Sequence, residues 1–501
     1  MFVKGNVTAN FAGSIWLALM SLAFVPLYIR LMGVESYGIV GVLISLQAIF
    51  ALLDLGLSQT LAREMARLSA HPDFAAKIGD TARTFEFIYW GLALVVTATI
   101  AFLAHFIAYY WLNPDQLSRE NLREILWIGA LVLGLRWPIA LYIGALNGMQ
   151  RQVLVNGMLA GFATLQGLGA LGALWFIAPT VQVFFWWQAL IAMIQVLALR
   201  VILWDRLPKQ GSRVFSLSVL KRTWRFAAGI TGITLLATLL SQLDKVLLSK
   251  MLSLTDFGYY VFAASVAAAL QRLIAPVFTA YSPRLTELVS KNDRATLIET
   301  YHQGCQVMAV VILAPTLTLV FFTKEILSLW THDQSLVIGT QLLVSILVIG
   351  NALNGLVTMP YALQLAHGWT KLALYTNATA AIVLVPVIYF ATLYWGAVGA
   401  ASVWVVLNLS YLVIGMHLMH RRIIETEKWR WYVSDIAMPL VAGLLVVTIG
   451  RMVIQNEWSA VPKLLMLCVV TGLGTVATVF SADLLRHRLA PKLFSMRADR
   501  T

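Results

Sequence analysis

A helix of about 20 apolar residues is long enough to cross the hydrocarbon of a bilayer, and this chain of 501 residues presents fourteen such runs in succession. They fall near 9–29, 38–57, 85–107, 125–146, 154–177, 182–202, 226–248, 257–279, 303–323, 336–356, 372–392, 395–416, 433–453 and 462–482. Only 12% of the residues are charged and 60% are hydrophobic, whereas soluble domains carry roughly 25% charged residues. No water-soluble core hides that much apolar surface, so lipid is the expected solvent. The start, Met1 to Asn6, leads into a run of full spanning length with no small-residue cleavage site. It reads as the first transmembrane helix rather than a signal peptide. The connections are too short for a folded domain, the longest being 58–84, 203–225 and 280–302. Within the first of them, Leu61–Leu68 reads as a short amphipathic helix lying at the interface.

The distribution of basic residues tests this list, because cytoplasmic segments of membrane proteins are enriched in Lys and Arg. Residues at the span ends are counted with the nearer side. Then 26 of the 36 Lys and Arg lie on the side of the N-terminus, 7 on the other side and 3 within spans. A wrong number of spans scrambles that alternation. Both termini are therefore expected in the cytoplasm. The net charge of +13 reads as an orientation signal and a contact with anionic membrane lipids, not as a nucleic-acid surface.

The two halves repeat at a near-constant offset. Arg30-Leu-Met-Gly-Val-Glu-Ser-Tyr37-Gly38 aligns with Lys250-Met-Leu-Ser-Leu-Thr-Asp-Phe257-Gly258, Trp111 with Trp330, and Pro138-Ile-Ala-Leu141 with Pro360-Tyr-Ala-Leu363. Six spans separate equivalent points, and an even number makes the repeats parallel, as in transporters whose halves are related about the membrane normal. The expected fold is an all-α polytopic membrane protein of about 14 helices. Residues 1–202 form a first lobe, 203–225 a cytoplasmic linker and 226–416 a second lobe. Residues 417–501 hold two further spans and a basic tail. Lobes around a central cavity suit alternating access.

An ionisable side chain at mid-bilayer costs about 2.5–3.5 kcal/mol on insertion scales, so each needs a reason. Arg136 falls near the middle of the fourth span, Arg272 in the inner half of the eighth, and Asp244 and Lys245 near the outer end of the seventh. Neighbours in sequence point about 100° apart on a helix, so Asp244 and Lys245 are not expected to pair with each other. Arg136, Arg272 and Lys245 are the candidate substrate-binding cations, suited to an anionic group such as a diphosphate. Asp244 joins them as a candidate partner or proton or sodium site. Asp54 and Arg63-Glu64 read as interfacial caps. Pro138 and Pro360 are expected to bend the fourth and tenth helices.

Other patterns carry no chemistry. Gly167-Leu-Gly169-Ala-Leu-Gly172 fits a dinucleotide fingerprint but lies inside a span with no preceding strand. Gly144 and Gly148, and Gly157 and Gly161, have the spacing of closely packed helices. No Walker lysine motif occurs, the eight His show no metal-ligand spacing, and Cys305 and Cys468 read as small apolar fillers. No cofactor is expected, and coupling to protons or sodium does not follow from the residues.

Asn10-Phe-Ala-Gly-Ser-Ile-Trp, Pro26-Leu-Tyr-Ile-Arg-Leu-Met-Gly33-Val-Glu-Ser-Tyr-Gly38, Leu53-Asp-Leu-Gly56-Leu followed by Ala62-Arg-Glu, and Gly-Ala-Val-Gly-Ala-Ala at 396–401 resemble polysaccharide and O-antigen flippases. These form the oligosaccharidyl-lipid branch of the multidrug/oligosaccharidyl-lipid/polysaccharide exporter superfamily. The resemblance is sharpest over the first 70 residues. It implies flipping of an undecaprenyl-diphosphate-linked oligosaccharide from the cytoplasmic to the periplasmic leaflet of the bacterial inner membrane. It also implies no enzymatic activity and partners among other polysaccharide biosynthesis proteins. Three rival readings remain, one of them a scaffold without transport, which the intramembrane arginines make uneconomical; the other two are transport or enzyme readings. One is a multidrug or organic-cation exporter, which needs an acidic or aromatic cavity. The other is a membrane glycan polymerase or ligase, which needs larger outside loops than Ala108–Glu124.

Overall fold

The computed structural model describes residues 2–54, 56–69, 75–208, 213–219, 240–454 and 458–486. The described chain is almost wholly helical, with no β-strand and one isolated bridge between Asn113 and Ser253. Among the described residues twelve helices are long and apolar enough to cross a bilayer. The first six are Gly13–Met32, Val34–Asp54, Lys77–Trp111, Arg119–Gly148, Gln152–Phe176 and Val181–Arg206, matching spans one to six. The eighth to tenth are Leu254–Ser290, Arg294–Phe321 and Gln334–Ala366. One continuous helix, Thr370–Ile423, covers the expected eleventh and twelfth. Its 54 residues would reach about 80 Å at 1.5 Å per residue, more than twice the hydrocarbon thickness. It divides at Gly396, where φ is 56° and ψ −142°, a left-handed backbone open to glycine at little cost. The thirteenth and fourteenth spans are Glu425–Val453 and Ala460–Ser481. The expected seventh, 226–248, lies outside the described residues as far as 239, and 240–251 is helical. Thirteen of the fourteen expected spans are thus traced.

By internal contacts the chain divides into two units, Met1–Val261 and Phe262–Thr501. In the first, the fourth span is the central helix, with 67% of its apolar window buried. Leu57, Leu61, Met65 and Leu68 recur at helical spacing on the short helix Leu57–Ser69 and bury that face against Phe85, Tyr89 and Tyr142. This amphipathic helix is clamped rather than loosely laid on a surface. The Gly144 and Gly148 faces of the fourth span meet the carbonyls of Ser58 and Ala62, leaving no room for a Cβ. Asp54 caps its start, accepting from the Ser58 hydroxyl at 2.8 Å, and also accepts from the Tyr89 hydroxyl. In the second unit the ninth span is as buried as the fourth, 67%, and its core gathers Tyr301, Met308, Ile312, Met359 and Trp431. Outer faces stay apolar: Phe102 and Phe176 are each 86% exposed, which suits lipid and not water.

The repeat at an offset of 220 becomes a physical contact. A Cβ on Gly38 would collide with the Leu254 carbonyl, and one on Gly258 with the Val34 carbonyl. Gly41 likewise lies against Val261. Each residue touches the equivalent of its own partner's position, the reciprocity that a two-fold relation between two segments produces. Other matched positions differ. Trp111 ends the third span, whereas Trp330 lies on a separate short helix, Thr323–Thr331, that follows the ninth. The tenth span breaks at Val357 just before Pro360, whose missing N–H leaves the Leu356 carbonyl without a helical partner. Pro138 sits inside an unbroken helix. Gly157 and Gly161 have nothing within 4 Å of an added Cβ, so their spacing does not mark a helix crossing among the described residues.

Candidate functional site

Arg136 sits on the central helix of the first unit, where its Nη2 donates to Gln188 Oε1 at 2.6 Å. An amide oxygen orients a guanidinium without neutralising it. Among the described residues no carboxylate lies within ion-pair distance of Arg136. Asp244 and Lys245 turn apart as helix geometry requires. Asp244 Oδ2 accepts from the Tyr260 hydroxyl at 2.5 Å, while its Oδ1 is buried with no partner among the described residues. Lys245 Nζ reaches the Ser241 carbonyl at 3.3 Å and Gln242 Oε1 at 3.4 Å.

Arg272 belongs to the second unit and is exposed. The eighth span is not one regular helix: turns at 268–270 interrupt it two residues before Arg272. Bonds to the third residue hold this turn, among them the Leu270 amide to the Ala267 carbonyl at 3.2 Å. Asn351 of the tenth span adds a second donor to that carbonyl at 2.8 Å while accepting from Trp404 Nε1 at 2.9 Å. Arg272 stands two residues past these turns.

Two charge clusters escaped the sequence because their members come from distant parts of the chain. Glu86, 4% exposed, accepts from Arg200 at 2.8 Å, Arg83 at 2.6 Å, the Tyr142 hydroxyl at 2.8 Å and Trp204 at 3.3 Å. It ties together the third, fourth and sixth spans. In the second unit the fully buried His302 places Nδ1 2.5 Å from Asp435 Oδ2 and Nε2 3.0 Å from Glu427 Oε2. Gln306 donates to the other Asp435 oxygen at 2.9 Å and accepts from the Leu484 amide at 3.0 Å. Ionised carboxylates only accept, and a neutral imidazole donates from one nitrogen. Both ring nitrogens face carboxylates, so the imidazole is held from two sides. The triad fastens the thirteenth span and the end of the fourteenth to the ninth. Its two carboxylates lie on opposite ring nitrogens, which is not how ligands converge on a metal. No group of three or more such residues is arranged for a metal among the described residues.

A third cluster joins the loop after the third span to the segment before the eighth, both in the first unit. Trp111 Nε1 donates to Ser249 Oγ at 3.0 Å, Asn113 Nδ2 to the Lys250 carbonyl at 2.8 Å, and the Leu254 amide to the Asn113 carbonyl at 2.9 Å. Lys250 Nζ reaches the Tyr110 carbonyl. The Thr255 amide donates to Asp115 Oδ2 at 3.1 Å. Burial pushes the Asp115 carboxyl up, but hydrogen bonds from Thr255 and Ser253 outweigh it and hold the group below the usual carboxylate range. The buried Glu35 anchors the same loop, accepting from the amides of Asp115 at 2.7 Å, Gln116 at 3.0 Å and Leu117 at 3.3 Å. Glu35 lies in the segment that carries the flippase resemblance.

Among solved structures, the chain is similar to a lipid II flippase MurJ in an inward closed conformation. The TM-score is 0.61 at 12% identity, covering 96% of this chain and 99% of that one. It is also similar to an inward-facing multidrug resistance MATE family transporter of the MOP superfamily, with a TM-score of 0.59, 16% identity, and 84% and 96% covered. A MATE structure in complex with MaL6 gives 0.55 at 15% identity, with 83% and 97% covered. Identities this low speak for a shared fold alone. Among curated proteins none matches the sequence. Residues 3–289, more than half of the chain, match the family described as polysaccharide biosynthesis protein. A multi-pass helical protein with the fold of MOP-superfamily transporters, the chain belongs to the polysaccharide biosynthesis protein family.

Proposed function

We propose that the chain is a flippase carrying undecaprenyl-diphosphate-linked oligosaccharide repeat units from the cytoplasmic to the periplasmic leaflet of the bacterial inner membrane. It works by alternating access of two six-helix lobes, 1–202 and 226–416, for assembly of a surface polysaccharide. Both termini lie in the cytoplasm, and other polysaccharide biosynthesis proteins deliver and consume the substrate. The family match over 3–289 supports a place in polysaccharide assembly. The observation that carries the transport reading is Arg136, held in a span by the neutral Gln188 at 2.6 Å. A cation kept at a cost of about 2.5–3.5 kcal/mol without a carboxylate partner among the described residues suits an anionic substrate group such as a diphosphate. Arg272 beside the broken eighth span and Lys245 serve the same group, and Asp244 modulates their charge. The fold is shared with multidrug transporters and so does not choose between the two substrates. Uncompensated arginine is the wrong sign for an organic cation.

The test is deletion of the gene in its host, with surface polysaccharide and lipid-linked intermediates assayed by leaflet. The expected result is loss of surface glycan with oligosaccharide-diphosphate-lipid accumulating on the cytoplasmic leaflet. Repeat units that reach the periplasmic leaflet but stay unpolymerised would transfer the reading to a polymerase or ligase. Unchanged glycan would transfer it to drug export.

A further inference from the structure

The second unit contains a cavity of about 220 Å³ walled by the tenth span and the helix Thr370–Ile423. Its polar lining includes Asn354, Tyr361, Gln364, Thr376, Asn377 and Tyr411, and among the described residues no Asp, Glu, Lys, Arg or His lines it. At about 30 Å³ per water the space holds roughly seven waters, or a single six-membered sugar ring.

Polar groups inside a membrane protein are normally satisfied by protein partners, and most of this wall obeys that rule. The Tyr411 hydroxyl donates to Asn377 Oδ1 at 3.2 Å, Asn354 Nδ2 donates to Asn408 Oδ1 at 2.9 Å, and Gln271 Nε2 reaches Asn354 Oδ1 at 3.4 Å. The Thr376 hydroxyl is turned onto the Leu372 carbonyl of its own helix at 2.9 Å. Gln364 departs from it. The residue is 4% exposed and lines the cavity, yet its side-chain amide has no protein partner among the described residues. The Tyr361 hydroxyl on the same wall has none either, while its ring stacks on Phe278 with centroids 6.5 Å apart. The Gln364 amide opens onto the cavity, so a ligand there that brings hydrogen-bonding groups of its own can pair with it.

The break before Pro360 explains how this wall arises. The tenth span restarts as Thr358–Ala366, which places Tyr361 and Gln364 on adjacent positions of one face, three residues apart. Gln271, the chain neighbour of Arg272, touches Asn354 on the same wall.

We propose that this cavity is a binding site for one neutral pyranose ring, recognised through the Gln364 amide, the Tyr361 hydroxyl and the Asn377 amide. Amides and hydroxyls both donate and accept, as sugar hydroxyls do. The absence of ionised groups from the wall disfavours a diphosphate or a metal ion, and the apolar Val357 and Leu372 suit the C–H face of a ring. The proposal rests on the flippase reading for its purpose: a sugar of the lipid-linked unit docks here while cationic side chains take the diphosphate.

The test uses the purified full chain in detergent and saturation-transfer NMR with three probes: methyl α-glucopyranoside, methyl α-galactopyranoside and N-acetylglucosamine. Glucuronate is the charged control. At least one neutral probe is expected to receive transfer. Gln364→Leu should weaken that binding roughly tenfold, and Tyr361→Phe, which removes one oxygen atom, should weaken it less. Both variants are checked for an unchanged unfolding temperature and elution volume. A Gln364→Leu protein that fails this check is replaced by Asn377→Leu, held to the same tenfold expectation. No transfer from any neutral probe overturns the proposal, as does equal transfer to the native chain and to the folded variants. So does preferred binding of glucuronate. Binding in detergent needs no flipping. Failure here leaves the leaflet assay standing, and an unchanged glycan in the deletion strain sinks the flippase reading without touching this measurement.

Discussion

A single side chain in lipid is judged by what it meets. Arg136 meets an amide oxygen, so its charge is oriented and kept. Replacing it by alanine removes a group that costs about 2.5–3.5 kcal/mol at mid-span, so insertion should not suffer. Arg136→Ala is expected to reach the membrane at the native level and to lose transport, measured as cytoplasmic-leaflet accumulation of lipid-linked oligosaccharide. Normal transport by that variant would show that the arginine only packs. His302 gives the opposite case, a buried ring with a carboxylate partner on each nitrogen. Asp435→Ala takes away one carboxylate and strands the imidazole and the Gln306 amide, for a loss of about 3 kcal/mol. Asp435→Asn keeps a hydrogen-bonding group and should lose less. Thermal unfolding of the purified variants checks this, and a native unfolding temperature for Asp435→Ala would mean the triad holds nothing together. Arg136 was legible in the sequence because one charge in a long apolar run stands out. The triad was not, since His302 lies 133 residues from Asp435 and 125 from Glu427.

Helices and their crossings show where local pattern suffices. Spans follow from hydropathy because a lipid-exposed backbone must satisfy itself internally, so length and apolarity decide existence and position. Identical-looking glycines, by contrast, do different things. Gly38 faces the Leu254 carbonyl and Gly258 the Val34 carbonyl, Gly144 and Gly148 receive the helix Leu57–Ser69, and Gly157 and Gly161 meet nothing within 4 Å among the described residues. Gly258→Ala is expected to force the Val34–Gly38 segment away and to lower folded yield and transport together. Gly157→Ala should be neutral or slightly stabilising, since alanine is the better helix former by about 1 kcal/mol. Equal behaviour of the two variants in a membrane-expression and unfolding assay would refute the reciprocal packing. The two prolines at equivalent positions make the same point, because one sits in an unbroken helix and the other follows a break.

For the whole protein, the polar latch from Tyr110 to Leu117 is the feature that bears most on transport. It ties the loop after the third span to residues 249–255 through backbone and side-chain bonds, at positions that the charge pattern puts outside. A flippase that works by alternating access must release such a closure during each cycle. Cysteines introduced as Asn113→Cys and Ser253→Cys, at the two bridged positions, should form a disulfide that stops flipping, with activity restored by reductant. Undiminished flipping by the crosslinked protein would show that this closure stays shut throughout transport. Latch residues such as Asn113 and Asp115 look like ordinary loop polarity in the sequence. Only the segment around Glu35 carried a signal there, through its resemblance to flippases.

The amino-acid sequence by itself determined that the chain lives in lipid, where its helices run, and that segments 220 residues apart are related. Those properties come from hydropathy, charge asymmetry and local similarity, all of which act within a span or between aligned spans. Tertiary structure alone decided what each polar group meets: Gln188 for Arg136, two carboxylates for His302, a cavity for Gln364. Such pairings depend on helix rotation and crossing, which are set by the packing of many side chains at once. A one-residue change in facing turns a side chain by about 100° on a helix, and no count of residues along the chain records that.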